Sequence, residues 1–118
     1  LRGGAGDDRL FGGAKADRLF GGGGKDLLNG GAGNDALTGG RGADTFVFGR
    51  NGDTDVIRDF ADNIDTIRLT GLGVSTINQA LSKARQIGDD VVFDFGWGDV
   101  LRVEDTMIAE LRNDLVFG

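Results

Sequence analysis

The chain has 118 residues, which is the size of one small domain. It contains no cysteine and no histidine, so it cannot form a disulfide, bind zinc through thiolates or build a nucleophilic triad. It has no apolar stretch of about 18 residues, which excludes a membrane-spanning helix. Its net charge of −6 argues against a nucleic-acid partner. No residue is predicted to be catalytic.

Glycine and aspartate are unusually abundant. Glycine accounts for 23 residues, and 17 of the 19 acidic residues are aspartate. The short aspartate carboxylate suits turns, where it caps backbone amides or binds hard cations. Residues 1–49 hold 16 of the glycines, and the first 48 residues carry no net charge, so the whole −6 lies beyond them. The sequence therefore predicts two regions, 1–48 and 49–118.

Residues 3–47 consist of five nine-residue units with no insertion or loss between them. The units are GGAGDDRLF, GGAKADRLF, GGGGKDLLN, GGAGNDALT and GGRGADTFV. Positions one and two are always glycine, position six is always aspartate, and position eight is always large and apolar. This strict register excludes a flexible glycine-rich linker, and the period of nine excludes a collagen helix.

The chemistry of one unit predicts both its shape and a ligand. The first six residues favour a tight turn, and the last three can form a strand that is too short to be stable alone. Because only one apolar residue recurs in each unit, a core can form only if the units stack. Glycine carbonyls and an aspartate carboxylate are hard oxygen ligands, which suit Ca²⁺.

The unit resembles the GGxGxDxUx repeat of the calcium-binding RTX family. The resemblance implies a parallel β-roll in which unit n stacks on unit n+2, with Ca²⁺ held between stacked turns. Main-chain carbonyls of positions one, two and four and the carboxylate of position six are the implied ligands. These residues are Gly3, Gly4, Gly6, Asp8, Gly12, Gly13, Lys15, Asp17, Gly21, Gly22, Gly24, Asp26, Gly30, Gly31, Gly33, Asp35, Gly39, Gly40, Gly42 and Asp44.

The implied stacking yields about three complete sites in the repeats. Lys15 replaces the glycine of position four, so the site that uses turn two is expected to be the weakest. In the apolar core, the position-eight side chains of odd units would face those of even units. The paired carboxylates would be Asp8 with Asp26, Asp17 with Asp35, and Asp26 with Asp44.

The second region is predicted to be a β-rich cap. Its apolar pattern indicates two short strands, an amphipathic helix, a hairpin, a short turn and a last strand. The whole chain is therefore predicted to be all-β, a parallel β-roll followed by a β-rich C-terminal cap with one short helix. The predicted segments are 56–60, 64–69, the helix 75–87, the hairpin 90–104, the turn 107–111 and the strand 115–117.

FVFGRNGDTDVIRDFADNIDTIRLTG (46–71) resembles the stretch that follows the β-roll in serralysin-type secreted metalloproteases. The resemblance implies that Asp55 and Asp65 are calcium ligands of one or two further sites at the cap. Ordinary turn carboxylates are the alternative for both residues. Asp59 is expected to be a turn or capping residue and not a ligand.

Asp114–Phe117 resembles the acidic and then hydrophobic ending of secreted proteases in this group, part of an uncleaved type I secretion signal. A plain terminal strand is the alternative. The resemblance implies a secreted, extracellular bacterial protein with the type I secretion apparatus as a partner. The chain is expected to begin inside a longer array or against an N-terminal catalytic or effector domain. Phe11 and Phe20 at position nine are expected to point outward, where they could dock such a domain, and partial cover by neighbouring side chains is the alternative.

The sequence thus predicts a non-catalytic calcium-binding module that folds on Ca²⁺ after export. The alternative is an accessory module for an anionic polysaccharide such as alginate, since similar β-rolls accompany alginate-modifying epimerases. That alternative needs Arg2, Arg9, Arg18 and Arg41 to line one face, whereas solvated charges would be the plainer explanation. A third possibility is that the parent protein is an enzyme whose chemistry lies outside this chain.

Overall fold

The computed structural model describes residues 1–50, 53–61 and 64–117. Within these residues the chain forms twelve β-strands, one short α-helix and one 3₁₀ helix. The strands are β1 (Arg2–Gly4), β2 (Arg9–Phe11), β3 (Arg18–Gly22), β4 (Leu27–Asn29), β5 (Ala36–Gly40), β6 (Thr45–Gly49), β7 (Thr54–Ile57), β8 (Thr66–Thr70), β9 (Ala84–Ile87), β10 (Asp90–Asp94), β11 (Val100–Val103) and β12 (Leu115–Phe117). The helices are α1 (Ile77–Leu81) and the 3₁₀ helix Ile108–Asn113.

Successive strands of the repeats enter two different sheets. One sheet has seven strands in the order β1-β3-β5-β7-β11-β10-β9, and the other has five in the order β12-β8-β6-β4-β2. The repeat strands pair in parallel, and Leu10 lies opposite Leu28, which lies opposite Phe46. Each pairing joins residues 18 positions apart, so unit n stacks on unit n+2, and the predicted parallel β-roll is confirmed.

Both sheets continue past the last nonapeptide. Strand β7 pairs in parallel with β5 and places Ile57 opposite Leu37. Strand β8 pairs in parallel with β6 and places Ile67 opposite Phe46. The antiparallel strands β9 and β10 then extend the seven-stranded sheet beyond β11, while β12 closes the five-stranded sheet. The roll therefore ends on strands that the nonapeptide pattern does not contain.

The apolar residue of position eight forms the core, as predicted. Leu19, Leu28, Leu37 and Phe46 are fully buried between the sheets, whereas Leu10 at the N-terminal edge is only partly buried. Burying a side chain of this size contributes roughly 1.5–3 kcal/mol. Since each unit supplies one such side chain, stability has to accumulate along the stack.

The predicted helix 75–87 is wrong over its second half. Helix α1 spans Ile77–Leu81, and residues 84–87 form β9, an antiparallel edge strand on β10. A helix of that length is marginal by itself, and the open edge of β10 offers a full set of backbone partners. The side chain of Gln86 adds further hydrogen bonds, since it donates to Thr106 O at 3.1 Å and accepts from Ile108 N at 2.9 Å.

The other predictions for the cap differ mainly at their ends. The hairpin is present as β10 and β11, and the last strand is present as β12. Strand β7 ends at Ile57 and β8 begins at Thr66, so Phe60 and Ile64 lie outside the strands predicted to contain them. The predicted turn near 107–111 is a 3₁₀ helix, which makes a second short helix. No helix in the described part of the chain is long and apolar enough to cross a membrane.

Candidate metal sites

The aspartates of position six are joined by a repeated hydrogen bond between stacked turns. In each case the backbone N–H of one aspartate donates to the Oδ1 of the aspartate in the next turn of the same column. These donors and acceptors are Asp8 to Asp26 (2.9 Å), Asp17 to Asp35 (2.8 Å), Asp26 to Asp44 (2.9 Å), Asp35 to Asp55 (3.0 Å) and Asp44 to Asp65 (2.9 Å). Two columns result, and Asp55 and Asp65 each occupy the next place in one of them.

The second oxygen of these carboxylates is buried and lacks a partner. The Oδ2 atoms of five aspartates have no hydrogen bond within the described residues, namely those of Asp8, Asp17, Asp26, Asp35 and Asp44. A buried polar atom without a partner costs free energy, about 1–3 kcal/mol and more for a charged group. A bound ion is one of the arrangements that satisfy such oxygens in native folds.

The glycine of position one leaves the space into which these oxygens point. A Cβ built on Gly3 would lie 2.6 Å from Asp8 Oδ2 and 2.7 Å from Gly21 O. A Cβ built on Gly12 would lie 2.8 Å from Asp17 Oδ2 and 2.6 Å from Gly30 O. A carboxylate of one turn and a carbonyl of the turn stacked on it therefore face the same small volume, which any side chain at position one would fill.

Lys15 adopts the backbone conformation of the glycine that it replaces. Its φ is 75°, in the left-handed region where a non-glycine residue is strained. A Cβ built on Gly33, in the turn stacked on it, would collide with Lys15 O. The carbonyl of Lys15 is therefore aimed at the neighbouring turn, as the carbonyls of the glycines at position four are.

Burial of these carboxyls disfavours their charged form. Desolvation raises the pKa of Asp55 to about 8 and that of Asp44 to about 6, and repulsion from neighbouring aspartates adds to both shifts. Desolvation also raises the pKa of Asp35 and of Asp65. A bound cation would favour the ionised form of these carboxyls. The two columns of aspartates therefore suit a metal ion better than burial without any positive charge nearby.

The donors available at each candidate site are two carboxylates and several main-chain carbonyls. Among the described residues no group of three or more acidic or histidine side chains is placed to hold a metal. Oxygen donors of this kind suit Ca²⁺, which takes six to eight oxygen ligands in flexible geometry. Within the described residues, no arginine or lysine side chain hydrogen-bonds to the five Oδ2 atoms. A bound ion would supply the positive charge there.

Sequence reasoning missed several aspartates and one asparagine that link the turns. Asp7 Oδ1 accepts from Lys25 N at 2.7 Å, and Asn34 Oδ1 accepts from Thr54 N at 2.9 Å. Asp53 Oδ2 accepts from Gly33 N at 2.9 Å. Asp59, which was predicted to be a turn or capping residue, accepts from two glycine amides of turn five. The excess of aspartate was the only signal for these roles.

The arginines named for a basic face do not share one. Arg9 lies on β2 of the five-stranded sheet and Arg41 lies in turn five, so that part of the alternative is wrong. Arg2 and Arg18 do lie on the outer face of the seven-stranded sheet, where Arg2 covers the Phe20 ring at 5.6 Å. The register adds three more arginines to that outer face, namely Arg58, Arg85 and Arg102.

A parallel roll with carboxylates and carbonyls converging between its turns defines a class of calcium-binding solenoid modules. The model of the RTX calcium-binding nonapeptide repeat matches residues 2–37 and 20–55 of this chain. The chain belongs to this family, and it is a calcium-binding repeat module of the kind found in secreted bacterial proteins.

Two solved structures are similar over nearly the whole chain. One is the extracellular lipase LipA from Serratia marcescens, with 26% identity, a TM-score of 0.68, and coverage of 98% of this chain and 20% of the lipase chain. The other is the AlgE6R3 subunit of the Azotobacter vinelandii mannuronan C5-epimerase, with 30% identity, a TM-score of 0.54, and coverage of 97% of this chain and 80% of that chain. The chain thus spans about one fifth of the lipase. No curated protein sequence matches it.

Proposed function

We propose that the chain is a calcium-driven folding module, with the residues of positions one, two, four and six as ligands. The five buried Oδ2 atoms carry this proposal, because a bound cation would offset the free energy that their burial without a partner costs. The aspartate ladder supports three sites within the repeats and two at the cap, the latter with Asp55 and Asp65 as ligands. Asp65 Oδ2 accepts from Ala61 N at 2.9 Å, so the site at Asp65 requires this oxygen to bind the ion beside or instead of that amide. Lys15 contributes its carbonyl to the site between turns two and four, which is the weakest.

Folding and calcium binding are then one event. Without Ca²⁺, the turns bring buried carboxylates together and the short strands cannot form a core. Five Ca²⁺ ions would change the net charge from −6 to about +4. Extracellular calcium modules bind with dissociation constants of roughly 10⁻⁴–10⁻³ M, so a chain of this type stays unfolded in a cytosol low in calcium and folds outside the cell.

We further propose a place for this module in a secreted protein. Residues 1–48 form the calcium-binding roll, and residues 49–118 form a cap that carries a type I secretion signal at Asp114–Phe117. The coverage of only one fifth of the extracellular lipase supports a larger parent with an N-terminal catalytic or effector domain, while this chain itself is non-catalytic. Deleting residues 114–118 from a secreted parent tests the signal, since export through the type I apparatus should then stop.

A calcium titration of chelated protein tests the folding proposal, with circular dichroism as the readout and Mg²⁺ as the control. A cooperative transition from coil to β-structure with Ca²⁺ alone is expected. Native mass spectrometry of the calcium-loaded chain should then show five bound ions, whereas three would restrict binding to the repeats. A spectrum already folded in chelator would contradict calcium-driven folding and would favour the second candidate.

The second candidate function is binding of an anionic polysaccharide, such as the mannuronan named for the epimerase. The specific observation in its favour is the outer face of the seven-stranded sheet, where Arg18 and Phe20 border a groove floored by Ala36 and Thr38. Five arginines lie on this face, of which Arg58 pairs with Glu104 and Arg102 pairs with Asp90. Arginine forms paired hydrogen bonds to carboxylates, which repeat at every sugar of a polyuronate.

Calorimetry with a short mannuronate oligomer tests this candidate, with an uncharged glucan as the ligand control. Arg18→Ser on the groove should abolish binding, whereas Arg9→Ser on the opposite sheet should leave it unchanged. Binding that both substitutions weaken equally would indicate nonspecific attraction and would reject the groove as the site.

A further inference from the structure

The carboxylate of Asp59 holds the beginning of turn five. Its Oδ1 accepts from Gly39 N and its Oδ2 accepts from Gly40 N, each at 2.8 Å. The two glycines occupy positions one and two of the fifth unit and form the end of β5. One side chain twenty residues away thus captures two successive backbone amides.

Asp59 stands where the backbone of a further coil would otherwise be. Earlier in the roll, the position-one amide of Gly12 donates to a main-chain carbonyl, that of Asn29, at 2.9 Å. Strands β5 and β7 pair in parallel, and the last backbone hydrogen bond between these two segments is donated by Arg58 N to Leu37 O at 2.9 Å. Immediately after that bond, the side chain of Asp59 replaces the main chain as the acceptor.

The captured amides belong to peptides that face a candidate metal site. In the trans peptide between Gly39 and Gly40, the N–H and the C=O point in opposite directions. With the Gly40 N–H held by Asp59, the Gly39 carbonyl is turned towards turn three. A Cβ built on Gly21 would there lie 2.6 Å from Gly39 O and would also contact Asp26 Oδ2.

We propose that Asp59 is a positioning residue which aims the Gly39 carbonyl into the calcium site between turns three and five. Both of its oxygens are engaged by backbone amides, so Asp59 acts through the Gly39–Gly40 peptide and not as a ligand. Its charge lies close enough to raise the pKa of Asp44 and of Asp65, so it also adds negative potential on the side of the column where the cation would bind. This inference rests on the proposed calcium binding.

The test compares Asp59→Asn with a matched control in the full chain. Asparagine keeps the shape but has one acceptor oxygen, so one of the two amides loses its partner. Asp89→Asn removes the same charge from an exposed loop between β9 and β10. Residue-resolved NMR during a calcium titration follows the turn-five amides of Gly39 and Gly42 beside the turn-four amides of Gly31 and Gly33.

Because the stability of a stacked solenoid is a sum over its units, Asp59→Asn should separate the ordering of turn five from the cooperative transition of the other turns. The calcium concentration that turn five needs should rise by about tenfold, the equivalent of one lost charged hydrogen bond. Turn four should be unaffected, the number of bound ions at saturation should be unchanged, and Gly39 and Gly40 should exchange their amide protons faster. Asp89→Asn should change none of these. A role in overall stability alone would move both columns together, and this outcome would overturn the proposal.

Two further outcomes would also overturn it. If Asp59→Asn binds one ion fewer at saturation, Asp59 is a ligand. If amide exchange at Gly39 and Gly40 is unchanged in this variant, the two hydrogen bonds from these amides to the Asp59 carboxylate, here called the clamp, are absent. Failure of the calcium-folding proposal is recognised separately, because the unsubstituted chain would then show no calcium transition. Amide exchange at Gly39 and Gly40 would in that case still report the clamp in the folded protein.

Discussion

The backbone N–H of Asp26 donates to Asp44 Oδ1 at 2.9 Å across two stacked coils, while the Oδ2 of each residue is buried without a partner. One carboxylate oxygen thus fixes the spacing of the turns and the other remains free for a cation. The same division recurs at Asp17 and Asp35 in the other column, so within the repeats the stacking geometry and the candidate ligand sites share the same side chains.

Substitution of Asp26 should weaken calcium binding more than substitution of Asp8. Asp26 belongs to two successive candidate sites and is buried, whereas Asp8 belongs to one at the N-terminal edge. We expect Asp26→Ala to raise the calcium midpoint of the circular dichroism transition by about tenfold or more, and Asp8→Ala by clearly less. Equal midpoints for the two variants would contradict the assignment of shared sites.

Two neighbouring glycines should differ sharply in their tolerance of a methyl group. A Cβ at Gly21 would contact Asp26 Oδ2 and lie 2.6 Å from Gly39 O, whereas a Cβ at Gly23 would meet no described atom within 4 Å. Gly21→Ala should cost about 1–3 kcal/mol of unfolding free energy and weaken calcium binding. Gly23→Ala should be neutral in both respects, as urea unfolding at fixed calcium can establish. Similar losses in both variants would argue against a site beside position one.

Replacing Lys15 by glycine should stabilise the folded chain. The φ of 75° at Lys15 costs about 1–2 kcal/mol for a residue with a Cβ, and glycine relieves that strain. The calcium midpoint should therefore fall. Lys25→Gly is the matched control, because Lys25 sits at position five, has no positive φ, and should lose stability on becoming glycine. Loss of stability in Lys15→Gly would show that the lysine side chain contributes more than its strain costs.

The pH dependence of stability should reverse when calcium is removed. The pKa of Asp44 is about 6 and that of Asp55 about 8 in the fold, both above the ordinary value of 3.8, so the folded state binds more protons than the unfolded state. In metal-free buffer, stability should fall as the pH rises from about 4 to 8. With calcium, protons compete with the ion, so the calcium midpoint should fall over the same range. Circular dichroism of the metal-free chain and calcium titrations, each at pH 5 and pH 8, check both signs, and a metal-free chain with more β-structure at pH 8 than at pH 5 would refute the first.

Much of the roll could be read from the nonapeptides, because a period of nine leaves few ways to bury one apolar residue per unit. The stacking of Leu28 between Leu10 and Phe46 was implied by the resemblance to the RTX repeat, and the strand register confirms it. The helix predicted over 75–87 failed beyond Leu81, because an amphipathic pattern cannot reveal an unpaired neighbouring strand. Whether the predicted glycine and aspartate ligands bind calcium stays a prediction that the titrations above decide.

The sequence by itself determined the repeating unit and its hard oxygen donors, because the spacing of glycine, aspartate and leucine is a local property of each unit, and the resemblance to the RTX repeat added the parallel roll. The tertiary structure decided how the roll ends. Asp55 and Asp65 enter the aspartate ladder 20 and 21 residues after their partners, and Asp59 clamps turn five, although no nonapeptide contains these residues. The roles of these three aspartates depend on where the chain leaves each sheet. Long-range pairing between backbone strands sets this position, and no local sequence pattern encodes it.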